Sequence, residues 1–122
     1  MFTGIIEALG TITNIVPEDK NLHFTIASAI SDELKIDQSV SHNGVCLTVV
    51  SLEAGNHTVT AIAETLQKTE LGQWRVGDLI NLERCMPAHG RFDGHIVQGH
   101  VDQVAQCVSV VEEGGSWRFR FS

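Results

Sequence analysis

The feature that most constrains this chain is a tight-turn signal that runs directly into a β-branched segment. Asn43 and Gly44 give the turn signal, because both residue types tolerate a positive φ. Residues 45–50 are rich in valine and predict a strand. Because side chains alternate along a strand, Cys46 and Thr48 share one face of it. A thiol and a hydroxyl on one face fit either a pocket wall or an ordinary strand surface.

Other strand-like segments surround this stretch, and glycine or proline separates them. The alternation of apolar and polar residues predicts five more strand-like segments. They are residues 4–15 with a bend at Gly10, 22–26, 58–63, 79–84, and a long run over 94–111 that is broken at Gly99. Turns or loops are predicted between them at residues 17–21, 54–56, 76–78 and 86–93.

Two segments predict short helices. Residues 28–34 have room for one or two turns, with Ser28 and Ser31 as possible N-caps. Residues 64–71 form the second helix, and Gly72 ends it. Short strands with so little helix favour an all-β fold, either a small antiparallel barrel or a sandwich. We expect a barrel, because only closure removes the exposed strand edges.

The last segment predicts an amphipathic strand. Trp117, Phe119 and Phe121 alternate with Arg118 and Arg120. This strand either closes the first barrel or opens a second domain. If the aromatic face has no cover within the chain, we expect it to recruit a second copy, since an open aromatic strand favours association.

Composition limits the domain count and the partners. A chain of 122 residues that is 43% hydrophobic can build one domain with its own core. The net charge is −7, and the sequence has no stripe of Lys and Arg that could neutralise phosphates. Both features argue against a nucleic acid or an anionic membrane as partner. A compact, weakly charged small molecule fits better.

The beginning of the sequence and its cysteines bear on location and metal binding. Residues 1–7 carry no basic region followed by an apolar run, so we expect neither a signal peptide nor a membrane span. We therefore expect a cytoplasmic protein. The three cysteines, Cys46, Cys85 and Cys107, are widely spaced. That spacing predicts free thiols rather than a disulfide framework or a zinc site.

Five ordered sequence blocks carry a family resemblance. They are Met-Phe-Thr-Gly-Ile-Ile-Glu at 1–7; Asn-Gly-Val-Cys-Leu-Thr-Val at 43–49; Glu-Thr-Leu at 64–66, followed by Thr69 and Leu-Gly at 71–72; Val-Gly-Asp at 76–78 with Asn-Leu-Glu-Arg at 81–84; and Gly-His-Ile-Val-Gln-Gly-His-Val-Asp at 94–102. Each block alone is weak, but five in order over about a hundred residues are not. In these blocks the chain resembles the α-type riboflavin synthases, the lumazine-binding-domain family.

The resemblance implies a fold and a domain organisation. Members of the family resemble two tandem six-stranded antiparallel Greek-key barrels, each with its own set of blocks, assembled as a trimer. This chain has one set, so residues 1–95 correspond to the first barrel. Residues 96–122 then hold its last strand, a linker and the first strand of a second barrel. The family's active site lies between the first barrel of one subunit and the second barrel of a neighbour.

The implied reaction transfers a four-carbon unit between two molecules of 6,7-dimethyl-8-ribityllumazine. It gives riboflavin and 5-amino-6-ribitylamino-pyrimidinedione, and it needs no cofactor or metal. The C7 methyl group of the substrate is acidic because its anion is delocalised into the ring, so the protein must mainly orient two rings and move protons. The alternatives are a single barrel that binds lumazine or riboflavin without turnover, or an assembly domain without a ligand. A single barrel could also form a dimer instead of a trimer.

The resemblance also implies the site residues. We expect substrate contacts at Gly4, Ile5, Ile6, Cys46, Leu47, Thr48, Thr60, Ala61, Ile62, Ala63, Glu64, Thr65, Gly99, His100 and Val101. His100 is the first candidate for proton transfer, because an imidazole can both take and give a proton near neutral pH. Cys46 and Ser39 are the second candidates, as polar groups beside the electrophilic ring or as a nucleophile that adds to C7. Without the family, Gly4 and Gly99 would equally well be β-bulges.

Overall fold

The computed structural model describes residues 1–90 and 99–122. Six antiparallel strands close into a barrel in the order β1-β2-β5-β4-β3-β6, which confirms the all-β barrel with little helix. The strands are β1 (Ala8–Glu18), β2 (Asn21–Ser28), β3 (Ser39–His42), β4 (Val45–Glu53), β5 (Asn56–Ala61) and β6 (Leu79–Arg84). In the described ranges, no helix is long and apolar enough to cross a membrane.

The turn between β3 and β4 has the conformation that the sequence predicts. Asn43 and Gly44 have φ values of 51° and 83°, the left-handed region that these two residue types tolerate best. Cys46 and Thr48 are exposed on the outer face of β4, while Val45, Leu47 and Val49 are buried. The predicted division of the two faces is therefore confirmed.

Inward-facing side chains from all six strands fill the barrel. The core includes Ile12, Phe24, Ile26, Val40, Leu47, Val49, Val59, Ala61, Ile80 and Leu82. Leu71 and Trp74 cover the barrel from the segment between α1 (Ala63–Lys68) and β6. The Trp74 ring meets Phe24 edge to face, with 5.1 Å between the ring centroids.

The first strand differs from the prediction at both ends and in its irregularity. β1 begins at Ala8 instead of residue 4, and it continues through Pro17 to Glu18, so the following turn is shorter than predicted. The β-bulge lies between Ile12 and Asn14, not at Gly10. Gly10 has a packing role, because a Cβ there would fall 2.5 Å from a methyl group of Ile26.

Both predicted helices form, but they are shorter than predicted and their caps differ. α1 ends at Lys68, and Gly72 lies inside a separate 3₁₀ helix, Leu71–Gln73, so Gly72 does not end α1. The first helix is a single 3₁₀ turn, Ser31–Glu33, without a side-chain N-cap. The Ser31 hydroxyl instead lies 2.8 Å from Nδ1 of the buried His57.

The C-terminal residues form a separate hairpin. Within the described residues, β7 (Cys107–Glu113) pairs with β8 (Ser116–Phe121) and with no barrel strand, so the alternative in which the last segment closes the first barrel is wrong. The strand predicted over residues 94–111 begins only at Cys107; its part at 94–98 lies outside the described residues. Residues 99–122 add no strand to the barrel, although a last barrel strand was expected after residue 95. The boundary at 95/96 lies outside the described residues and stays a prediction.

Candidate functional site

Polar side chains form a row across the outer surface of the barrel. Ser39 on β3 lies opposite Thr48 on β4, and Thr60 on β5 lies opposite His23 on β2. His23 Nδ1 is 2.7 Å from the Thr60 hydroxyl oxygen. Thr48 and Thr60 each lie next to the paired residues Val49 and Val59, which brings the two halves of the row together.

The sheet opens at this row. The ladder between β4 and β5 runs from Glu53 and Asn56 to Val49 and Val59 and goes no further within the described residues. Within the described residues, the part of β4 that precedes Val49 pairs with β3 and not with β5. Backbone groups at the end of a ladder can bind the polar edge of a flat ring that lies on apolar side chains.

One buried carboxylate on β6 holds the N-terminal segment. The Thr3 N–H and the Thr3 hydroxyl donate to Glu83 Oε2 at 2.6 and 2.9 Å. The Gly4 N–H donates to Glu83 Oε1 at 2.9 Å. Glu83 lies opposite Ser41, which in turn lies opposite Cys46. The segment is therefore fixed two strands away from the Cys46 face.

Residues 99–101 contact both the N-terminal segment and the β3–β4 turn. The Gly99 N–H donates to the Phe2 carbonyl at 2.8 Å, and the Val101 N–H donates to the Gly44 carbonyl at 2.9 Å. The His100 ring lies over the buried Phe2 ring, with centroids 5.0 Å apart and planes tilted by 52°. His100 is exposed.

The structure thus brings most of the predicted residues to one side of the barrel. Gly99 and Val101 lie against the turn that leads into Cys46 and Thr48, and Gly99 also packs against Gly4. Thr60 and α1 lie beyond the open ladder. Ser39 also belongs to this side, as the partner of Thr48. Ile5 and Ile62 are apolar and solvent-exposed, at 72% and 52%.

Some predicted contacts are excluded for side chains. Leu47 and Ala61 are 4% and 0% exposed and point into the core, so only their backbone atoms can meet a ligand. Glu64 binds Lys68 at 2.7 Å, and this hydrogen bond lowers the pKa of the Glu64 carboxyl. Within residues 1–90 and 99–122, no three His, Cys, Asp or Glu side chains are grouped closely enough to hold a metal ion.

Glu83 and Ser41 are two buried polar residues of the site that were not predicted from the sequence. Alternation places both side chains on the outer face of the barrel, whereas their sequence neighbours Leu82 and Val40 point into the core. Glu83 and Ser41 are nevertheless only 5% and 2% exposed. The N-terminal segment covers Glu83 through contacts between residues about eighty positions apart. A local pattern carries no signal for such a long-range contact.

Comparison with known proteins agrees with this architecture. Residues 3–85 match the model of the lumazine binding domain. The chain is 40% identical over 116 residues to riboflavin synthase of Photobacterium phosphoreum, covering 93% of this chain and 53% of that protein. It is 39% identical to riboflavin synthase of Schizosaccharomyces pombe, covering 99% of this chain and 59% of that protein. The chain therefore spans somewhat more than half the length of these relatives.

Solved structures of LumP show the same fold with ligands bound. LumP complexed with 6,7-dimethyl-8-(1'-D-ribityl) lumazine superposes with a TM-score of 0.82 at 25% identity, over 98% of this chain and 67% of that one. The LumP complex with riboflavin gives a TM-score of 0.81 at 26% identity, over 93% of this chain and 62% of that one. Together with the match over residues 3–85, the barrel and its ordered motifs establish that the chain belongs to the lumazine-binding domain family.

Proposed function

We propose that this chain supplies the N-terminal ligand-binding half of a riboflavin synthase, in which two molecules of 6,7-dimethyl-8-ribityllumazine give riboflavin and 5-amino-6-ribitylamino-pyrimidinedione. The observation that carries the proposal is the set of contacts that joins Gly4 to Gly99, and Gly99 and Val101 to the turn before Cys46, at the start of the strand whose ladder with β5 ends at Val49. The two named riboflavin synthases match over 93% and 99% of this chain.

The open ladder suits the polar edge of a lumazine ring. A pyrimidinedione edge presents alternating acceptors and a donor, which backbone groups near Thr48, Thr60 and Ile62 can match. The exposed Ile5 and Ile62 provide apolar surface for the ring face. The hydroxyl groups of Thr48 and Thr60 lie on the outer face, where the ribityl chain needs hydrogen-bond partners.

His100 has the chemistry for the proton steps. Carbon–carbon bond formation needs removal of a proton from the C7 methyl group of one lumazine and its later return elsewhere, and an imidazole can do both. The tilted contact with Phe2 holds the His100 ring against the N-terminal segment. Cys46 and Ser39 are the proposed polar groups beside the second, electrophilic ring; Cys46 is exposed and Ser39 half-buried.

A second candidate is a lumazine- or riboflavin-binding module without turnover. LumP favours it, because that protein has the same fold and binds lumazine, riboflavin and flavin mononucleotide in its solved complexes. The two candidates share the binding site and differ in whether two ligands can react. In the synthase proposal, a complementary barrel of a neighbouring subunit holds the second lumazine, so the working enzyme is a homo-oligomer, a trimer when both barrels are present. Residues 96–122 would then lead into that second barrel.

The deciding experiment follows the absorbance and fluorescence of 6,7-dimethyl-8-ribityllumazine mixed with the purified chain. Accumulation of riboflavin in proportion to protein supports the synthase and shows that this chain alone suffices for turnover. A saturable change in lumazine fluorescence without riboflavin shows a ligand-binding unit, which is the result expected of the module and also of a synthase barrel tested without a complementary barrel, since this chain alone is expected to be incomplete for turnover. No change in either signal would overturn both.

Matched threonine variants locate the site in the same experiment. Thr48→Val removes a hydroxyl beside the open ladder and should weaken lumazine binding roughly fivefold to tenfold, the value of one hydrogen bond. Thr58→Val is the control, because Thr58 lies on the same outer surface but opposite Ser51, where the ladder is closed. Equal affinities of the two variants would place the ligand elsewhere. His100→Ala tests proton transfer, since it should lower turnover more than it lowers affinity.

A further inference from the structure

Two histidines that the proposed chemistry does not use lie inside the barrel. His42, the last residue of β3, and His57, near the start of β5, are both fully buried. Their Nε2 atoms are 3.0 Å apart, a hydrogen-bond distance across the barrel interior. His42 Nδ1 is also 3.0 Å from the Val40 carbonyl oxygen, and His57 Nδ1 is 2.8 Å from the Ser31 hydroxyl.

The partners fix where each hydrogen lies. A carbonyl oxygen only accepts, so His42 Nδ1 carries a hydrogen and donates it to Val40. Burial lowers the pKa of His42 to about 3 and that of His57 to about 4, so both rings are neutral near pH 7. His42 Nε2 is then the acceptor, and His57 Nε2 donates to it. His57 Nδ1 in turn accepts from the Ser31 hydroxyl.

The far end of the chain of hydrogen bonds is also determined. Ser31 has one hydroxyl hydrogen, which goes to His57 at 2.8 Å rather than to the Ile26 carbonyl at 3.4 Å. The Ser28 hydroxyl, 2.7 Å away, is then the donor to Ser31. The chain therefore runs in one direction, from Ser28 through Ser31, His57 and His42 to Val40, and every member has a partner.

The hydrogen-bond chain ends next to the β3–β4 turn, which contacts residues 99–101. His42 is directly followed by Asn43, whose side chain accepts from the Asn81 N–H at 2.7 Å and donates to Glu70 at 3.1 Å. Gly44, the next residue, accepts the Val101 N–H through its carbonyl. The position of His42 thus bears on the backbone that holds Val101.

We propose that the hydrogen-bond chain from Ser28 through Ser31, His57 and His42 to Val40 is a positioning device, which fixes the β3–β4 turn and through it residues 99–101. Its members touch no ligand surface; they act through the turn. Its effect on lumazine binding rests on the proposed function, whereas its effect on the turn does not.

The acidic side chains on the surrounding elements bind other partners or are exposed to solvent. The Nε2 atom of each imidazole is hydrogen-bonded to that of the other. Asp32 accepts from the Gly55 N–H, and Glu33 binds Arg84. Glu83 on β6 holds the N-terminal segment, and Glu53 on β4 is exposed. Acid protonates both rings, and two cationic imidazoles cannot share the hydrogen bond between their Nε2 atoms.

Nuclear magnetic resonance of the histidine-¹⁵N-labelled chain tests the arrangement directly. We expect a scalar coupling between the two Nε2 atoms across the N–H···N bond, with His42 in the Nδ1–H form and His57 in the Nε2–H form. Both rings should stay neutral well below pH 6. Two Nε2–H rings, or no coupling between them, would overturn the proposed chain.

Hydrogen exchange tests the positioning role without any ligand. Ser31→Ala removes the donor to His57 and should raise the exchange rate of the Val101 amide roughly fivefold to tenfold more than that of the Val59 amide. Thr25→Val is the control. It breaks the 3.0 Å Thr25–Thr58 hydrogen bond on the outer surface and leaves the hydrogen-bond chain from Ser28 to Val40 intact. Equal acceleration of both amides by Ser31→Ala, or an unchanged Val101, would show that the chain contributes only general stability or nothing. Exchange can support the device even if lumazine does not bind, so the two proposals fail separately.

Discussion

Gly99 and Gly4 approach so closely that a side chain on Gly99 has no space. A Cβ at Gly99 would fall 2.6 Å from the Gly4 backbone nitrogen and 2.9 Å from its Cα. The obstacle is backbone, which cannot rotate away as a flexible side chain can. Residues 99–101 and the N-terminal segment therefore fit together only with glycine at this position.

Gly99→Ala should displace the N-terminal segment from the barrel. Because the added methyl group meets backbone, we expect a loss of about 1–3 kcal/mol in the free energy of unfolding and weaker lumazine binding. Urea denaturation and fluorescence titration measure the two effects. Gly72→Ala is the matched control, since a Cβ there meets nothing within 4 Å. If both variants behave like the unmodified chain, the close approach has no energetic consequence.

Glu83→Gln should release the same segment from its other anchor. The substitution keeps the size of the side chain but turns one acceptor oxygen into an NH₂ donor that faces Thr3 or Gly4. A buried donor without a partner costs about 1–3 kcal/mol. Urea denaturation measures the loss in the free energy of unfolding. Faster amide hydrogen exchange at Gly4 shows that the N-terminal segment is the part that is released. Glu53→Gln on the exposed end of β4 should change neither; equal exchange at Gly4 in both variants would mean that Glu83 is not the anchor.

The buried histidines should make the fold sensitive to acid. Their pKa values in the folded state, about 3 for His42 and about 4 for His57, lie below the ordinary value of 6.5. Between these values the unfolded chain binds more protons than the folded one, so stability is full above about pH 7 and falls as the pH drops. The slope approaches about 1.4 kcal/mol per pH unit for each ring.

Urea denaturation at a series of pH values between about 7.5 and 5 measures this slope above the range in which carboxylates titrate. His89→Ala is the control, because His89 is exposed and should leave the slope unchanged. Constant stability over this window would mean that the two rings take up protons in the folded barrel.

Local pattern predicted the outer face of the site and missed the buried polar groups. The Asn43-Gly44 turn signal and the alternation after it placed Cys46 and Thr48 correctly. The same alternation puts His42 on the face of Val40 and His57 on the face of Val59, so an inward position for both could have been read from the sequence. Their mutual hydrogen bond could not, because it depends on how the closed barrel brings β3 and β5 together.

Two glycines were also misinterpreted from the local pattern. Gly10 looked like a point of bending, but its lack of a side chain accommodates Ile26, and the bulge lies further along β1. Gly72 looked like the end of a helix, but α1 stops four residues earlier, at Lys68. Packing requires glycine at position 10, whereas a Cβ at position 72 would meet nothing within 4 Å, so only the three-dimensional contacts distinguish the two glycines.

The C-terminal hairpin should drive association of the isolated 122-residue chain. Trp117, Phe119 and Phe121 share one face of β8 and are 62%, 56% and 62% exposed. We expect a second copy to cover this face, because identical apolar faces can pair about a two-fold axis. Sedimentation at micromolar concentration should show a dimer or larger species, and Phe119→Ser should shift it towards monomer. Arg120→Ser on the opposite face should not. A clean monomer of the unmodified chain would contradict this prediction and would mean that the aromatic face is stable in water by itself.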